Sequence, residues 1–277
     1  MNRNESATSD SRFWLLTAQQ LFREAALDAW VGVLSSKQAN VWYHPEHQVY
    51  LKIFLEPKLV KRLRAKLLPF YARQRRFITK TQQLIDIDFP APQIMAGGEL
   101  DVGGFVVTKA FPGIGLGSFF SQYLRKSATD KRLRRWKREV MDALGKLVGR
   151  LHNSGVVHGD LRPNNILLSA QNREPTFCFI DNERNHYGYG RAAVSAAIKN
   201  LSQLNMIWPE DVSASYRLRF INSYWETNPY GIGKKQFIRR INAITSRRLQ
   251  GKRRGGYLDA GQIKIIQPDM RTLLGGD

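Results

Sequence analysis

Leu133, Trp136, Val140, Leu144, Leu147 and Leu151 recur every three or four residues and give way to Asn153-Ser154-Gly155. This is the spacing of one buried face on a long helix closed by turn residues. Further helices are predicted over 191–207, 212–226 and 233–250, the last carried by Phe237, Ile241, Ile244 and Leu249. The first part of the chain has another period. Val49, Leu51 and Ile53 alternate with Tyr50, Lys52 and Phe54 after His44-Pro45-Glu46-His47, which predicts a hairpin between Asn40 and Leu55. A basic helical segment follows through Leu59, Leu63, Leu67, Phe70, Phe77 and Leu84, kinked or split at Pro69 and stopped by Pro90-Ala91-Pro92. Two short strands surround Gly97-Gly98 and Gly103-Gly104, and the second, Phe105 to Ala110, runs into Phe111-Pro112-Gly113. Ahead of all this, residues 15–30 predict a short lead-in helix capped at Thr17, preceded by a disordered polar leader over 1–12. The expected organisation is a sheet with one main helix over 13–112 and a mostly helical part over 113–277.

Composition narrows the picture. A chain of 277 residues with 43% hydrophobic content suffices for one domain or two joined lobes. The single cysteine, Cys178, lies between Phe177 and Phe179, so it reads as a core thiol; an internal disulfide and a cysteine metal cage are both excluded. The first residues lack the pattern of a signal peptide, and no stretch approaches the roughly 18 apolar residues that a membrane span needs. A formal charge of +20 implies an anionic partner. Its concentration in Lys61–Lys80, Arg125–Arg138 and Lys234–Arg254 suits anionic lipid or a phosphorylated glycan. Nucleic acid is disfavoured, because the interleaved Phe70, Phe77 and Trp136 fall at core spacing rather than where bases could stack on them.

The chemistry concentrates directly after the long helix, in Val156-Val157-His158-Gly159-Asp160-Leu161-Arg162-Pro163-Asn164-Asn165-Ile166-Leu167-Leu168. This has the form H-x-D-x-x-x-x-N. Phosphoryl transfer asks a protein to orient the acceptor hydroxyl, hold metal between phosphates and neutralise charge on the moving group. Asp160 suits the first task, Asn165 the second and Arg162 the third. Phe177-Cys178-Phe179-Ile180-Asp181 is an apolar strand ending in a carboxylate, so Asp181 is the second candidate ligand for Mg²⁺. Lys52, in Val-Tyr-Leu-Lys, is placed to grip the phosphates of ATP. Backbone near Thr108, Lys109 and Ala110 is the candidate adenine contact. His158 reads as a residue that orients backbone.

This sequence resembles the bacterial lipopolysaccharide kinase (Kdo/WaaP) family. The likeness is carried by the catalytic-type loop, by Phe-Ile-Asp-Asn-Glu-Arg from Phe179, and by Val-Thr-Lys-Ala-Phe-Pro-Gly over 107–113. Lys37–Phe54, Asn200-Leu201-Ser202-Gln203-Leu204 and Arg217-Leu218-Arg219-Phe220 extend it to roughly 35–250. The resemblance implies an α+β, bilobal protein-kinase-like fold, with ATP and Mg²⁺ as cofactors. It also implies phosphorylation of a sugar in the lipopolysaccharide core or a lipid A precursor, by a cytoplasmic protein peripheral to the inner membrane.

Several positions depart from the usual kinase pattern. Ser35–Val41, where a loop should cover the phosphates, has no glycine, and Lys37 or Gln38 is expected to compensate. No glutamate occurs between 57 and 98, so Gln74 or an acid from elsewhere must hold Lys52. Gly159 stands where kinases controlled by loop phosphorylation carry arginine, which speaks against that control. Trp208-Pro209-Glu210 follows a helical run instead of preceding it and reads as coincidence. Two other functions stay open: a kinase for a soluble small molecule or a protein, and a non-catalytic binding protein of the same fold.

Overall fold

The computed structural model describes residues 4–24, 27–35, 37–56, 71–123, 131–171, 174–188, 190–207, 211–227 and 230–254. They fall into two compact units, one ending at Phe111 and the other beginning at Pro112.

In the first unit, helix α1 (Asn4–Glu24) precedes strands β1 (Val31–Ser35), β2 (Ala39–His44) and β3 (Val49–Leu55). Helix α2 (Arg73–Ile85) and strands β4 (Ile94–Leu100) and β5 (Gly103–Lys109) complete it. The strands form one antiparallel sheet in the order β1-β2-β3-β5-β4. Alternation along β3 divides the core in two. Val49, Leu51 and Ile53 join Phe105 and Val107 against Ala18 and Leu21 of α1, whereas Phe54 and Val106 face Phe77 of α2. The sheet is thus covered by α1 on one face and α2 on the other.

Helix α1 corrects the expectation of a disordered leader over 1–12 for the part from Asn4, which is helical; residues 1–3 lie outside the described residues. Thr17 is not its cap; it lies inside the helix and donates from Oγ1 to the carbonyl of Phe13 at 3.0 Å. Once Trp14, Leu15, Ala18 and Leu21 anchor a helix on the sheet, extending it toward its N-terminus costs little, because nucleation is the expensive step. The helix is over by residue 27, where Trp30 N–H closes a turn on the carbonyl of Leu27. The expected apolar positions Leu59, Leu63, Leu67 and Phe70, and the kink at Pro69, lie outside the described residues.

The second unit opens with β6 (Ile114–Gly115) and a helical turn over Leu116–Ser118 that continues through Phe119–Tyr123. Helix α3 (Lys131–Asn153) follows, then β7 (Val156–Val157), β8 (Ile166–Gln171), β9 (Glu174–Phe179) and β10 (His186–Tyr187). Helices α4 (Gly190–Leu204), α5 (Ala214–Thr227) and α6 (Lys234–Arg254) end the described chain. β6-β8-β9 form a three-stranded sheet, and β7 pairs with β10. The apolar stripe of α3 is buried as its spacing predicts, including Leu133, Trp136, Val140, Leu144, Leu147 and Leu151. Gly145 and Gly149 on the same helix admit the backbone of α5: a Cβ at either would overlap Phe220, Tyr224 or Thr227. Burial of Trp136 and Phe77 bears out their reading as core residues. Cys178 is buried, and burial pushes its thiol up to about 12, which keeps it protonated and inert.

Candidate active site

In the second unit the chemistry-bearing residues lie where three strand ends meet. The turn from β7 to β8 carries His158, Asp160, Arg162 and Asn165, and the end of β9 carries Asp181. Pairing of β8 with β9 puts Ile166 opposite Phe179. One residue further on, Ile180 N–H donates to the carbonyl of Asn165 at 3.0 Å, which brings Asn165 beside the residue preceding Asp181. Asp181 adopts φ 65° and ψ 44°. A left-handed conformation at a residue other than glycine stores strain and recurs at functional positions.

His158 organises the loop. It is fully buried, and its Nδ1 accepts from Asp160 N–H at 3.1 Å, which requires the ring proton to sit on Nε2. That nitrogen donates to the carbonyl of Ile180 at 3.2 Å and so ties the Asp160 turn to the Asp181 segment. Burial is the main cause that holds the His158 pKa below its ordinary value, so the imidazole stays neutral in the state both bonds require.

Asp160 receives three side chains. Its Oδ1 accepts from Arg162 Nε at 2.7 Å and from Gln203 Nε2 at 3.3 Å, and Asn165 Nδ2 lies 3.4 Å from Oδ2. Asn165 Nδ2 also donates to the Asp160 carbonyl at 2.8 Å. With its amide nitrogen engaged there, the atom Asn165 has left to offer a metal ion is Oδ1. Two oxygen donors, Asn165 Oδ1 and the Asp181 carboxylate, are the set a hard cation takes when phosphate and water supply its remaining ligands. Among the described residues no group of three or more His, Cys, Asp or Glu could hold a metal ion.

Gly159 has a steric reason. A Cβ there would overlap the side chain and carbonyl of Arg184, which packs across the loop. Arginine is therefore excluded at this position by space as well as by sequence. Gly159→Ala is expected to destabilise the fold by about 1–3 kcal/mol. Gly231→Ala, where nothing stands within 4 Å of the added carbon, should melt like the wild type in the same thermal scan.

In the first unit Lys52 sits on β3 opposite Val106, on the α2 face of the sheet. Its Nζ lies 4.8 Å from the Phe54 ring centroid and 5.6 Å from that of Phe77. The ammonium thus lies against two aromatic rings, an interaction of about 0.5–2 kcal/mol. Gln74 is buried and packs against Gly104, where a Cβ would overlap its side chain. The turn between β1 and β2 leaves Lys37 and Gln38 exposed. The Gln38 carbonyl accepts from Leu55 N–H at 2.9 Å and from Arg73 at 2.7 Å. At the end of β5, Lys109 N–H donates to the Gln93 carbonyl and Ala110 N–H to the Gln48 carbonyl. Both donors are engaged within the protein. Trp208-Pro209-Glu210 lies outside the described residues.

A buried polar network behind the Asp160 loop is not read in the sequence as part of the site. Asn200 on α4 accepts from His158 N–H at 3.0 Å and donates to the His158 carbonyl at 2.6 Å. It also meets His152 Nε2 at 3.1 Å and Gln203 Oε1 at 3.4 Å. The available signal is an Asn and a Gln three apart on the buried stripe of Ala197, Ile198, Leu201 and Leu204.

The antiparallel sheet with its helix and the helical second unit make a protein-kinase-like fold. The chain belongs to the lipopolysaccharide kinase (Kdo/WaaP) family, whose model matches residues 31–224. Among solved structures it is similar to WaaP in complex with acyl carrier protein, at 18% identity and a TM-score of 0.58, over 87% of this chain and 95% of that one. It is also similar to an aminoglycoside phosphotransferase from Streptomyces rimosus, at 16% identity and a TM-score of 0.48, over 83% and 98% of the two chains. A tRNA threonylcarbamoyladenosine biosynthesis protein of Methanosarcina acetivorans is 54% identical over 33 residues, which span 12% of this chain and 6% of that curated relative.

Proposed function

We propose that this chain is an ATP- and Mg²⁺-dependent kinase that phosphorylates a sugar hydroxyl, of Kdo or heptose, in the lipopolysaccharide core at the cytoplasmic face of the inner membrane. The observation that carries the reading is the Asp160 carboxylate, held on one oxygen by two side chains beside an amide and a second carboxylate suited to a hard cation. Mg²⁺-ATP, when bound, supplies the phosphoryl group and charge neutralisation. Asp160 orients the acceptor hydroxyl and takes its proton late in transfer. Asn165 and Asp181 hold the metal, Arg162 faces the moving group, and Lys52, fixed by its strand and two rings, grips the phosphates. Lys37 and Gln38 stand in for a glycine loop, and carbonyls at Thr108–Ala110 receive the adenine amino group.

Family membership supports a lipopolysaccharide acceptor, and charge supports the location. Lys131, Arg132, Arg134, Arg135 and Arg138 on α3 are exposed, as are Lys235, Arg239, Arg240 and Arg247 on α6. Each basic side chain near an anionic bilayer adds about 1 kcal/mol of attraction. Among the described residues no helix is long and apolar enough to cross a membrane. The test is transfer of label from γ-labelled ATP to extracted lipopolysaccharide. Label is expected with the wild type and not with Asp181→Ala, whose Mg²⁺-dependent ATP binding should also weaken. Label on a soluble acceptor alone would replace the acceptor and leave the chemistry standing.

A further inference from the structure

The orientation of the buried amides can be worked out from fixed backbone. His158 offers Asn200 both an N–H and a carbonyl, so Asn200 must present Oδ1 to the first and Nδ2 to the second. Nδ2 therefore also faces Gln203, whose Oε1 must be the atom that receives it. The remaining group of Gln203, its Nε2, is left to donate to Asp160 Oδ1 at 3.3 Å. No freedom remains at Gln203, which is itself only 8% exposed.

The other partner of Oδ1 is of a different kind. The Arg162 side chain is 60% exposed, against 15% for Asp160. An exposed ion pair is weak and easily exchanged. An Arg162 that turns toward a phosphate gives up Oδ1, and Gln203 then remains. Oδ2, by contrast, has among the described residues only the long approach of Asn165 Nδ2 at 3.4 Å.

We infer that Gln203 is a positioning residue that occupies Asp160 Oδ1 throughout turnover and so assigns Oδ2 to the acceptor hydroxyl. This rests on the reading of Asp160 as the residue that orients the acceptor. Gln203 touches neither substrate nor metal. It transmits the rigidity of α4, through Asn200 and the His158 backbone, to one oxygen of the carboxylate.

Gln203→Glu separates this role from a merely structural one. Glutamate keeps Oε1 for Asn200 but sets a second carboxylate against Asp160. With γ-labelled ATP and extracted lipopolysaccharide, kcat is expected to fall about tenfold or more while KM for ATP stays within about twofold, because misplacement of a catalytic group is costly. Gln203→Leu should lose less of kcat than Gln203→Glu. A structural role predicts the reverse order, with glutamate near wild type and leucine worst. Wild-type kcat in Gln203→Glu, with Asp160→Asn inactive, would overturn the inference and leave the reading of Asp160 intact; an active Asp160→Asn would overturn both. A readout free of any acceptor is the side-chain amide resonance of Gln203 in ¹⁵N-glutamine-labelled protein. It is expected to shift in Asp160→Asn, and indifference to that substitution would also refute the inference.

Discussion

Asp160→Asn is expected to slow phosphoryl transfer by about 10³-fold while changing ATP affinity by no more than about threefold. Asparagine matches aspartate in size, so the loss would not come from packing. Arg162 Nε and Gln203 Nε2 both donate toward Oδ1, and an asparagine there must turn its single oxygen to meet them. Its amide nitrogen then takes the place of Oδ2. A group that accepted the hydroxyl proton becomes one that offers protons of its own, and the acceptor oxygen is held in the wrong sense. Single-turnover label transfer and equilibrium ATP binding measure the two quantities separately. A variant that binds ATP normally and transfers at the wild-type rate would show that Asp160 is only a loop residue.

Much of the scaffold is legible in the sequence because its periods are clean. The α3 stripe from Leu133 to Leu151 and the alternation around Lys52 each follow one geometric repeat. β1 is harder to see, since Val31-Gly32-Val33-Leu34 is short and follows directly on a helical pattern. The beginning of α1 is hidden for another reason: the residues from Asn4 to Ser11 suit caps and turns as well as an exposed helix, and only the docking of Trp14, Leu15, Ala18 and Leu21 decides between them. The catalytic-type loop is legible because its residues lie within eight positions of one another. What surrounds Lys52 is not. The missing glutamate shows in the sequence, but Phe54 and Phe77 become partners of the ammonium only when α2 packs on the sheet. Gln203 is similar: a polar residue on a buried stripe signals a constraint, and only the fold shows that Asp160 imposes it.

The same network should make stability depend on pH. His152 is buried, with Nε2 on Asn200 Oδ1 at 3.1 Å and Nδ1 on the Tyr224 hydroxyl at 2.9 Å. Asn200 Oδ1 can only accept, so Nε2 carries the proton and Nδ1 accepts from Tyr224, whose oxygen in turn meets the Tyr230 hydroxyl at 3.0 Å. The ring is neutral, and its pKa is lowered to about 4, first by burial and then by His158 against the opposing bond to Asn200. An unfolded histidine binds its proton near pH 6.5, so between about 4 and 6.5 the unfolded chain takes up a proton that the folded chain refuses. The stabilisation is fully present above pH 6.5 and is lost progressively toward pH 4, by an amount on the order of 3 kcal/mol. His158 contributes in the same direction. His152→Gln, which retains a donor and an acceptor but cannot titrate, should therefore melt below the wild type at pH 7.5 and lose less on acidification. The gap is expected to close by on the order of 5 °C between pH 7.5 and 4.5 in thermal scans at constant ionic strength. Parallel curves for the two proteins would mean that His152 is charged in the folded state, and Nδ1 would then donate to the Tyr224 hydroxyl instead of accepting from it.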